Sequence, residues 1–375
     1  MIFSSFPYFS DESLNTISEQ VKSMLRSGRL TDGPYLQDFE KKFASYMQVK
    51  YAVGVSSGSA SLDVALRHYN LRGHEVIVPT NTFIATPNGV VLAGGKPIFA
   101  EMNPETLGLD VDDVKRKVTD KTAGVIVVHI AGLVCPQIRE LKAFCENRGL
   151  FLIEDCAHAH GAMLDGQKAG TFGDIGCFSF YPTKVMTSCE GGMTITNKDD
   201  FIDDARCVRT CGQNTDRLMV VLGPNWRMSE LSAIVGGNQL EYLDEFIDKR
   251  NQVARWYEEA LGDVEGVTLF KLSSRFRHSY YKYPLLLADG VDRLKVAALL
   301  KNKYQIEPGH VYYPPCHLHP YYMKTYGTQT GDFPTAERVL KQVLCLPMHY
   351  GITKENVDYI RSSLVAAIAE AKNSV

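Results

Sequence analysis

Short continuous runs of apolar residues recur along the chain up to about residue 225, and most are followed by a segment whose apolar residues repeat every three or four positions. The runs are typical of strands buried on both faces, and the segments between them are typical of amphipathic helices. This alternation predicts an α/β fold with a mostly parallel central sheet covered on both sides. The predicted strands are 51–55, 75–79, 97–100, 125–129, 151–155, one ending near 180 and 193–196, and the predicted helices include 12–27, 35–47 and 138–147.

The pattern changes after residue 225. A long amphipathic helix is predicted over residues 229–261, followed by strands at 280–287 and 343–347 and helices at 292–303, 335–341 and 354–372. We therefore predict two domains: an N-terminal segment with the large domain at residues 1–245, and a smaller α+β C-terminal domain at residues 246–375. The predicted boundary lies inside the long helix.

The composition is that of an ordinary globular protein, and it disfavours several classes of partner. The 375 residues are 45% hydrophobic and 22% charged. The formal net charge is −3 and no Lys/Arg cluster is present, so we expect no nucleic-acid partner. No apolar run reaches the roughly 18 residues of a membrane span. The first residues lack the basic and apolar regions of a secretory signal. We expect neither a membrane partner nor secretion.

The nine cysteines are scattered along the chain, and no pair has zinc-ribbon spacing. Cys156, Cys177 and Cys207 lie in apolar segments that are typical of a core. His158 and His160 are separated by one residue, and these two histidines alone are too few to predict a metal site. We therefore expect no metal and a cytoplasmic location, where thiols stay reduced.

Three chemical groups follow predicted strands of the sheet. Lys184 lies in a tight connection after the strand ending near residue 180, and a lysine beside buried apolar surface can form a Schiff base with a carbonyl. Residues 56–60 form a small-residue turn before a helix, whose free N–H groups suit a phosphate. Asp155 ends a strand, where ligands gather in such sheets. Each group also has an ordinary interpretation: a solvated lysine, a serine N-cap and a boundary carboxylate.

Together these groups indicate one ligand. Pyridoxal phosphate needs donors for its phosphate, a flat apolar face, an acid for its pyridine nitrogen and a lysine for its aldehyde. Phe83, in the loop after strand 75–79, supplies an aromatic face. The sequence therefore predicts a pyridoxal-phosphate site with Lys184 and Asp155 as its catalytic residues.

Short blocks in a fixed order carry a family resemblance. They are residues 56–62, 75–79, 82–86, 153–162, 173–174, 178–180, 182–184, 190–193, 225–230, 333–337 and 346–348. Through these blocks the chain resembles, over nearly its whole length, the DegT/DnrJ/EryC1/StrS family of sugar aminotransferases. That family is a branch of the fold-type-I, aspartate aminotransferase-like pyridoxal-phosphate enzymes.

The resemblance implies a role for each matching residue. Lys184 would bond covalently to the cofactor and act as acid and base, and Asp155 would pair with the pyridine nitrogen. His158 would contact the ring near its 3-hydroxyl, and Phe83 would stack on the ring.

The phosphate has its own implied contacts. Gly58, Ser59 and Ser179 would bind it within one chain. Asn225 would reach the phosphate of the neighbouring subunit, which implies a homodimer with shared active sites.

The resemblance also implies an activity. We expect transfer of an amino group from L-glutamate to a keto group of a nucleotide-linked sugar. Lys184 argues against the dehydratase branch, which has His at that position. Two alternatives stay open: amination of a ketone without a nucleotide, such as a keto-cyclitol or a small phosphorylated ketone, and a cofactor-binding regulator without turnover. Candidate substrate contacts, which have surface or interface packing as their alternative, are Arg29, Tyr181, His310, Tyr312, Tyr313 and His317.

Overall fold

The computed structural model describes residues 1–372. The helices are α1 (Asp11–Ser27), α2 (Pro34–Met47), α3 (Gly58–Arg67), α4 (Ala85–Leu92), α5 (Val111–Lys117), α6 (Ile138–Arg148), α7 (Asp199–Arg209), α8 (Glu230–Glu241), α9 (Leu243–Leu261), α10 (Arg293–Asn302), α11 (Pro320–Tyr326), α12 (Pro334–Gln342) and α13 (Lys354–Lys372). The strands are β1 (Tyr51–Val55), β2 (Glu75–Pro79), β3 (Lys96–Ala100), β4 (Thr122–Val128), β5 (Phe151–Asp155), β6 (Met163–Leu164), β7 (Gln167–Lys168), β8 (Ile175–Ser179), β9 (Gly192–Thr196), β10 (Val267–Leu269), β11 (Phe276–Arg277), β12 (Tyr283–Leu287) and β13 (Val343–Leu346). None of these helices is both long and apolar enough to cross a bilayer.

The central sheet has seven strands in the order β1-β9-β8-β5-β4-β2-β3. Strand β9 runs antiparallel to both of its neighbours, β1 and β8, and the other pairs are parallel. The predicted mostly parallel sheet is therefore confirmed. Asp155 pairs with Val128 on one side and Cys177 on the other, so the end of β5 lies at the carboxyl edge between β4 and β8.

Apolar residues cover both faces of this sheet. One core includes Phe39 and Phe43 of α2 and Leu141 of α6, and the opposite core includes Leu66 of α3 and Phe201 of α7. The strands are buried on both sides, which explains why they are continuous apolar runs in the sequence.

The C-terminal part has a core of its own but is not separate from the sheet. Strands β10, β12 and β13 form a small antiparallel sheet that packs with α9, α10 and α13. Within the same part, Cys316 and Leu340 belong to the core of the large sheet. At the other end of the chain, Ile2 pairs with Ile306, and the Ser4 N–H donates to Glu307. The first residues therefore join the C-terminal part.

Two predicted elements differ from the structure. The single helix at 229–261 is wrong, because Tyr242, with φ −102° and ψ 1°, separates α8 from α9. The strand predicted from residue 280 begins only at Tyr283, because Tyr280 has a φ of +45°, which a strand does not allow. Helices α5, α7 and α11 had no counterpart among the predicted elements.

Candidate active site

A cavity of about 420 Å³ opens at the carboxyl edge of the central sheet. Its walls come from the start of α3, the ends of β4, β5 and β8, the loop before α4, and two tyrosines of the C-terminal part. Residues predicted for the site that line it are Gly58, Ser59, Phe83, Asp155, His158, Ser179, Tyr181, Lys184 and Tyr312.

The start of α3 forms one end of the cavity. The hydroxyl of Ser57 caps the helix by accepting a hydrogen bond from the Ala60 N–H at 3.1 Å. Gly58 is needed here for space, because a Cβ at this position would lie 2.5 Å from the Cβ of Ser179. The missing side chain brings the hydroxyl of Ser179 next to the helix terminus. Backbone N–H groups and hydroxyls at a helix start are the donor set that fits a phosphate.

Asp155 lies on the floor of the cavity and is buried. Its carboxylate accepts hydrogen bonds from Thr86 Oγ1 at 2.8 Å and from the Ala157 N–H at 3.1 Å. Burial raises the pKa of this carboxyl, and these two hydrogen bonds and the charge of Lys184 only partly oppose the effect. Within residues 1–372 no cation forms an ion pair with it, and such a buried carboxylate fits the protonated nitrogen of a pyridine ring.

Lys184 follows β8 in a tight turn, in which its N–H donates to the Tyr181 carbonyl at 2.9 Å. Its Nζ lies 4.5 Å from the centre of the Tyr281 ring. The hydroxyl of Tyr281 lies 3.2 Å from Oγ1 of Thr183. Burial alone would raise the pKa of Tyr281, but Lys184, Lys282 and the Thr183 hydroxyl outweigh it, and the net shift is downward.

His158 lies between two tyrosine rings. Its ring stacks on Tyr281 at 4.2 Å between centroids and faces Tyr312 at 5.7 Å. Nδ1 accepts from the Ala131 N–H, which leaves the proton on Nε2, and Nε2 donates to the Tyr312 hydroxyl at 2.8 Å. Burial, with the charges of Lys184 and Lys282, lowers the pKa of His158 well below its usual value. The imidazole is therefore neutral at physiological pH.

In the part of the chain that the structure describes, one cluster of three side chains consists of residue types that bind metals: His129, Glu154 and Cys156, all buried. Glu154 accepts hydrogen bonds from the N–H groups of residues 170, 172 and 173, and from Nε2 of His129 at 2.7 Å. His129 Nδ1 accepts the Cys135 N–H. The hydrogen bonds of Glu154 and His129 thus hold the loop before β8 against the sheet.

Several predicted site residues lie outside the cavity of this single chain. Asn225 and Arg29 are exposed, and so is His310. The ring of Tyr313 packs under the guanidinium of Arg293. His317 is fully buried, with Nδ1 2.6 Å from Thr80 Oγ1 and Nε2 3.1 Å from Glu337. Its hydrogen bonds are internal, and it does not line the cavity.

The structure also adds residues that the sequence predictions missed. Thr86 contacts Asp155, and Tyr281 lies beside Lys184. Thr86 lies in block 82–86, one of those that carry the family resemblance, but no pattern in the sequence around it indicates that its hydroxyl is functional. Tyr281 lies in the predicted strand 280–287, and the positive φ of Tyr280, just before it, has no signal in the sequence.

A lysine, a buried carboxylate and a phosphate-type helix start lie together at one edge of a mostly parallel sheet, an arrangement that fits an α/β enzyme with a phosphate-bearing cofactor. The chain belongs to the DegT/DnrJ/EryC1/StrS aminotransferase family, whose model matches residues 12–365. It is therefore an aminotransferase.

Named relatives cover most of the chain. GDP-perosamine synthase of Vibrio cholerae is 36% identical over 340 residues, which are 88% of this chain and 89% of that protein. L-glutamine:2-deoxy-scyllo-inosose aminotransferase of Streptomyces kanamyceticus is 32% identical, over 96% of this chain and 89% of that protein. The solved structure of NtdA from Bacillus subtilis, with bound cofactor PMP, superposes with a TM-score of 0.88 at 26% identity, and covers 98% of this chain and 86% of that one.

Proposed function

We propose that this aminotransferase binds pyridoxal 5′-phosphate in the cavity and transfers an amino group from L-glutamate to a keto group of a nucleotide-linked sugar. The observation that carries the proposal is that Lys184, Asp155 and the start of α3 line one cavity. When bound, the cofactor supplies an aldehyde that carries the amino group and a ring that accepts electrons. The relative named GDP-perosamine synthase supports a nucleotide-linked sugar as the substrate.

The phosphate group would be held at the start of α3. The N–H groups of Gly58 and Ser59 point out of the first helical turn, where no intrahelical acceptor exists. The hydroxyl of Ser179 adds a donor from the end of β8. Together they hold the cofactor at one end of the cavity and fix its distance from Lys184.

Asp155 would hold the pyridine nitrogen in its protonated form. The hydrogen bonds from Thr86 and Ala157 orient the carboxylate and offset part of its desolvation. Phe83 would cover one face of the ring, and its own ring lies 5.8 Å from that of Tyr312. Neutral His158, fixed by Ala131 and Tyr312, would contact the edge of the ring.

Lys184 would form the covalent bond with the cofactor through Nζ, and after release it would move a proton at that same atom. The aromatic ring of Tyr281 holds its ammonium in place on one side. Tyr181 and Tyr312 line the cavity beside it and are our candidates for contacts to the sugar.

A homodimer would complete the site. Asn225 is exposed and lies outside the cavity of its own chain, and the loop before it carries Leu218, Met219 and Leu222 with exposures of 62%, 67% and 73%. Large apolar side chains so exposed fit coverage by a second copy. In that arrangement Asn225 would reach the partner's phosphate site, and Arg29 and His310 would face the shared entrance. We place this enzyme in the cytoplasm.

A second substrate class is supported by one relative. The Streptomyces protein is named for an inosose, a keto-cyclitol without a nucleotide. The same residues would carry out its amination, because the chemistry at the keto carbon is unchanged.

The test is spectroscopic. We expect the purified protein with pyridoxal phosphate to absorb visible light, to lose that absorbance on addition of L-glutamate, and to regain it when the correct ketone is added. UDP-, GDP- and dTDP-linked ketosugars and a free keto-cyclitol would be compared. Lys184→Ala should abolish the response, whereas Lys168→Ala, a lysine that packs on Tyr46 outside the cavity, should keep it. A wild-type protein that shows no colour would overturn the cofactor proposal, and colour without loss on glutamate would indicate another donor or a regulator.

A further inference from the structure

Two ammonium groups lie close to the ring of Tyr281. Nζ of Lys184 is 4.5 Å from the centre of its ring and Nζ of Lys282 is 5.2 Å away. Tyr281 is 7% exposed and both lysines are partly buried, so water screens these charges less than at an exposed surface. Among the described residues neither lysine has a carboxylate within 4.0 Å. Two partly buried cations without a carboxylate in ion-pair distance favour negative charge on the tyrosine beside them.

The titratable groups around Tyr281 are neutral or positive, except for the carboxyl groups of Asp155 and Glu190, which line the same cavity. His158 stacks on the ring and is neutral, because burial and the lysines lower its pKa. Burial raises the pKa of Tyr312, which keeps its hydroxyl protonated. Burial lowers the pKa of the Arg250 guanidinium to about 10, so it stays charged at neutral pH. The charge of Lys184 partly opposes the raised pKa of Asp155, but the two side chains form no ion pair.

The hydroxyl of Tyr281 has one hydrogen-bond partner suited to an anion. Oγ1 of Thr183 lies 3.2 Å from it, and the threonine can donate. Thr183 immediately precedes Lys184, so the same turn holds the amine and the donor. A phenolate at this position would have a fixed hydrogen bond and an ammonium beside it.

We infer that the phenolate oxygen of Tyr281 is the proton acceptor for Lys184. A proton passes from Nζ of Lys184 to Oη of Tyr281; one N–H bond breaks, one O–H bond forms, and the lysine becomes an uncharged amine without any oxidant or reductant. The proton returns by the reverse step. This inference rests on the proposed function, in which Lys184 works as an amine, and it makes Tyr281 a positioning residue that sets the protonation of Lys184.

The first experiment uses the cofactor-free full-length chain, so it does not depend on the proposed reaction. Tyrosinate absorbance in the near ultraviolet is followed as pH rises. We expect one tyrosine to ionise below the ordinary value of about 10. The step should vanish in Tyr281→Phe and persist in Tyr280→Phe, a neighbour whose pKa burial raises. An unchanged curve in Tyr281→Phe would overturn the inference.

A second variant tests the inference even if Tyr281→Phe fails to fold. Lys282→Met removes one of the two flanking charges and leaves Tyr281 in place, so the tyrosinate step should move to higher pH. Circular dichroism checks that each variant is folded. If Lys282→Met leaves the step where it is, the charge argument fails.

A kinetic measurement separates proton transfer from packing. In the loaded enzyme, Tyr281→Phe should lower kcat by about 10²-fold and increase the isotope effect seen with an amino donor deuterated at Cα, because proton transfer then limits the rate. A fall in kcat with an unchanged isotope effect would mean that Tyr281 only packs. An enzyme that shows no colour or turnover, with the tyrosinate step present, would instead count against the proposed function alone.

Discussion

Oγ1 of Thr86 lies 2.8 Å from Oδ2 of Asp155, and both side chains are buried at the carboxyl edge of the sheet. The threonine reaches the carboxylate from the first turn of α4, so the loop that carries Phe83 is fixed to the floor of the cavity.

Thr86→Val should weaken cofactor binding by about tenfold. The variant keeps the shape of the side chain but removes a hydrogen bond to a charged group, which is worth about 1.5–3 kcal/mol. The affinity is measured by titrating the apoprotein with pyridoxal phosphate and following absorbance. The control is Thr171→Val, since Thr171 bonds the Lys168 carbonyl away from the cavity. Equal affinities for the two variants would contradict the role given to Thr86.

Gly58→Ala should destabilise the fold by about 1–3 kcal/mol and weaken phosphate binding. The added methyl would lie 2.5 Å from Cβ of Ser179 and 3.1 Å from its Cα, so α3 and β8 must move apart. Thermal unfolding with and without inorganic phosphate measures both effects. Gly237→Ala is the matched control, because its new methyl would meet Phe39 at an ordinary 3.9 Å inside a helix, where alanine is preferred. A Gly58→Ala protein as stable as the control would refute the close approach.

His278 should make the protein less stable in acid. Burial lowers its pKa to about 3, and its Nδ1 accepts the Tyr280 N–H at 2.7 Å, so the folded state holds it neutral. The unfolded chain, with a pKa of about 6.5, binds the proton first, and stability therefore falls as pH drops below that value.

His278→Asn, which keeps an acceptor for that N–H, should remove about 2 kcal/mol of the stability lost between pH 7.5 and pH 5. Urea unfolding at the two pH values measures the loss. The other buried histidines will keep a residual acid sensitivity in the variant. A variant with the same pH dependence as the wild type would show that His278 is not held neutral.

Glu230 should be essential for the start of α2. Its buried carboxylate accepts the N–H groups of Gly33, Tyr35 and Leu36 at 2.9–3.1 Å. Glu230→Ala leaves these donors unsatisfied and should cost about 3 kcal/mol in unfolding free energy. Glu241→Ala, which removes only an exposed ion pair to Lys42, should cost less than about 1 kcal/mol. Similar losses in the two variants would argue against the cap.

The predicted strands of the large sheet agree with the structure to within a few residues, because strands buried on both faces must be continuous apolar runs. The break between α8 and α9 could not be predicted in this way. Leu240 and Leu243, on either side of Tyr242, are both buried in the same core, so the apolar pattern runs through the break without interruption. Only the backbone angles of Tyr242 reveal it.

The sequence predicts those site residues that lie at or just after the ends of strands. It does not predict those that reach the site from distant parts of the chain. Asp155 is the last residue of β5, residues 57–59 and Lys184 follow β1 and β8, and all of them line one cavity. Tyr281 reaches Lys184 from almost a hundred positions further along the chain, through a turn at Tyr280 that needs a rare positive φ. For His317 the sequence fails in the other direction, because nothing in its Pro-rich loop indicates that the predicted site residue has its ring buried between Thr80 and Glu337.

The cavity is lined by residues that are far apart in the sequence: Asp155 lies on the central sheet, and Tyr281 and Tyr312 lie on the C-terminal part. A molecule bound there would contact both regions, which are otherwise joined by packing and by hydrogen bonds such as those from His158 to Tyr312 and between Thr183 and Tyr281. Its occupancy and the global unfolding of the chain thus share one equilibrium, and saturation at a hundred times Kd raises the melting midpoint by the equivalent of about 2.7 kcal/mol. Amide hydrogen exchange should then slow at all three positions together.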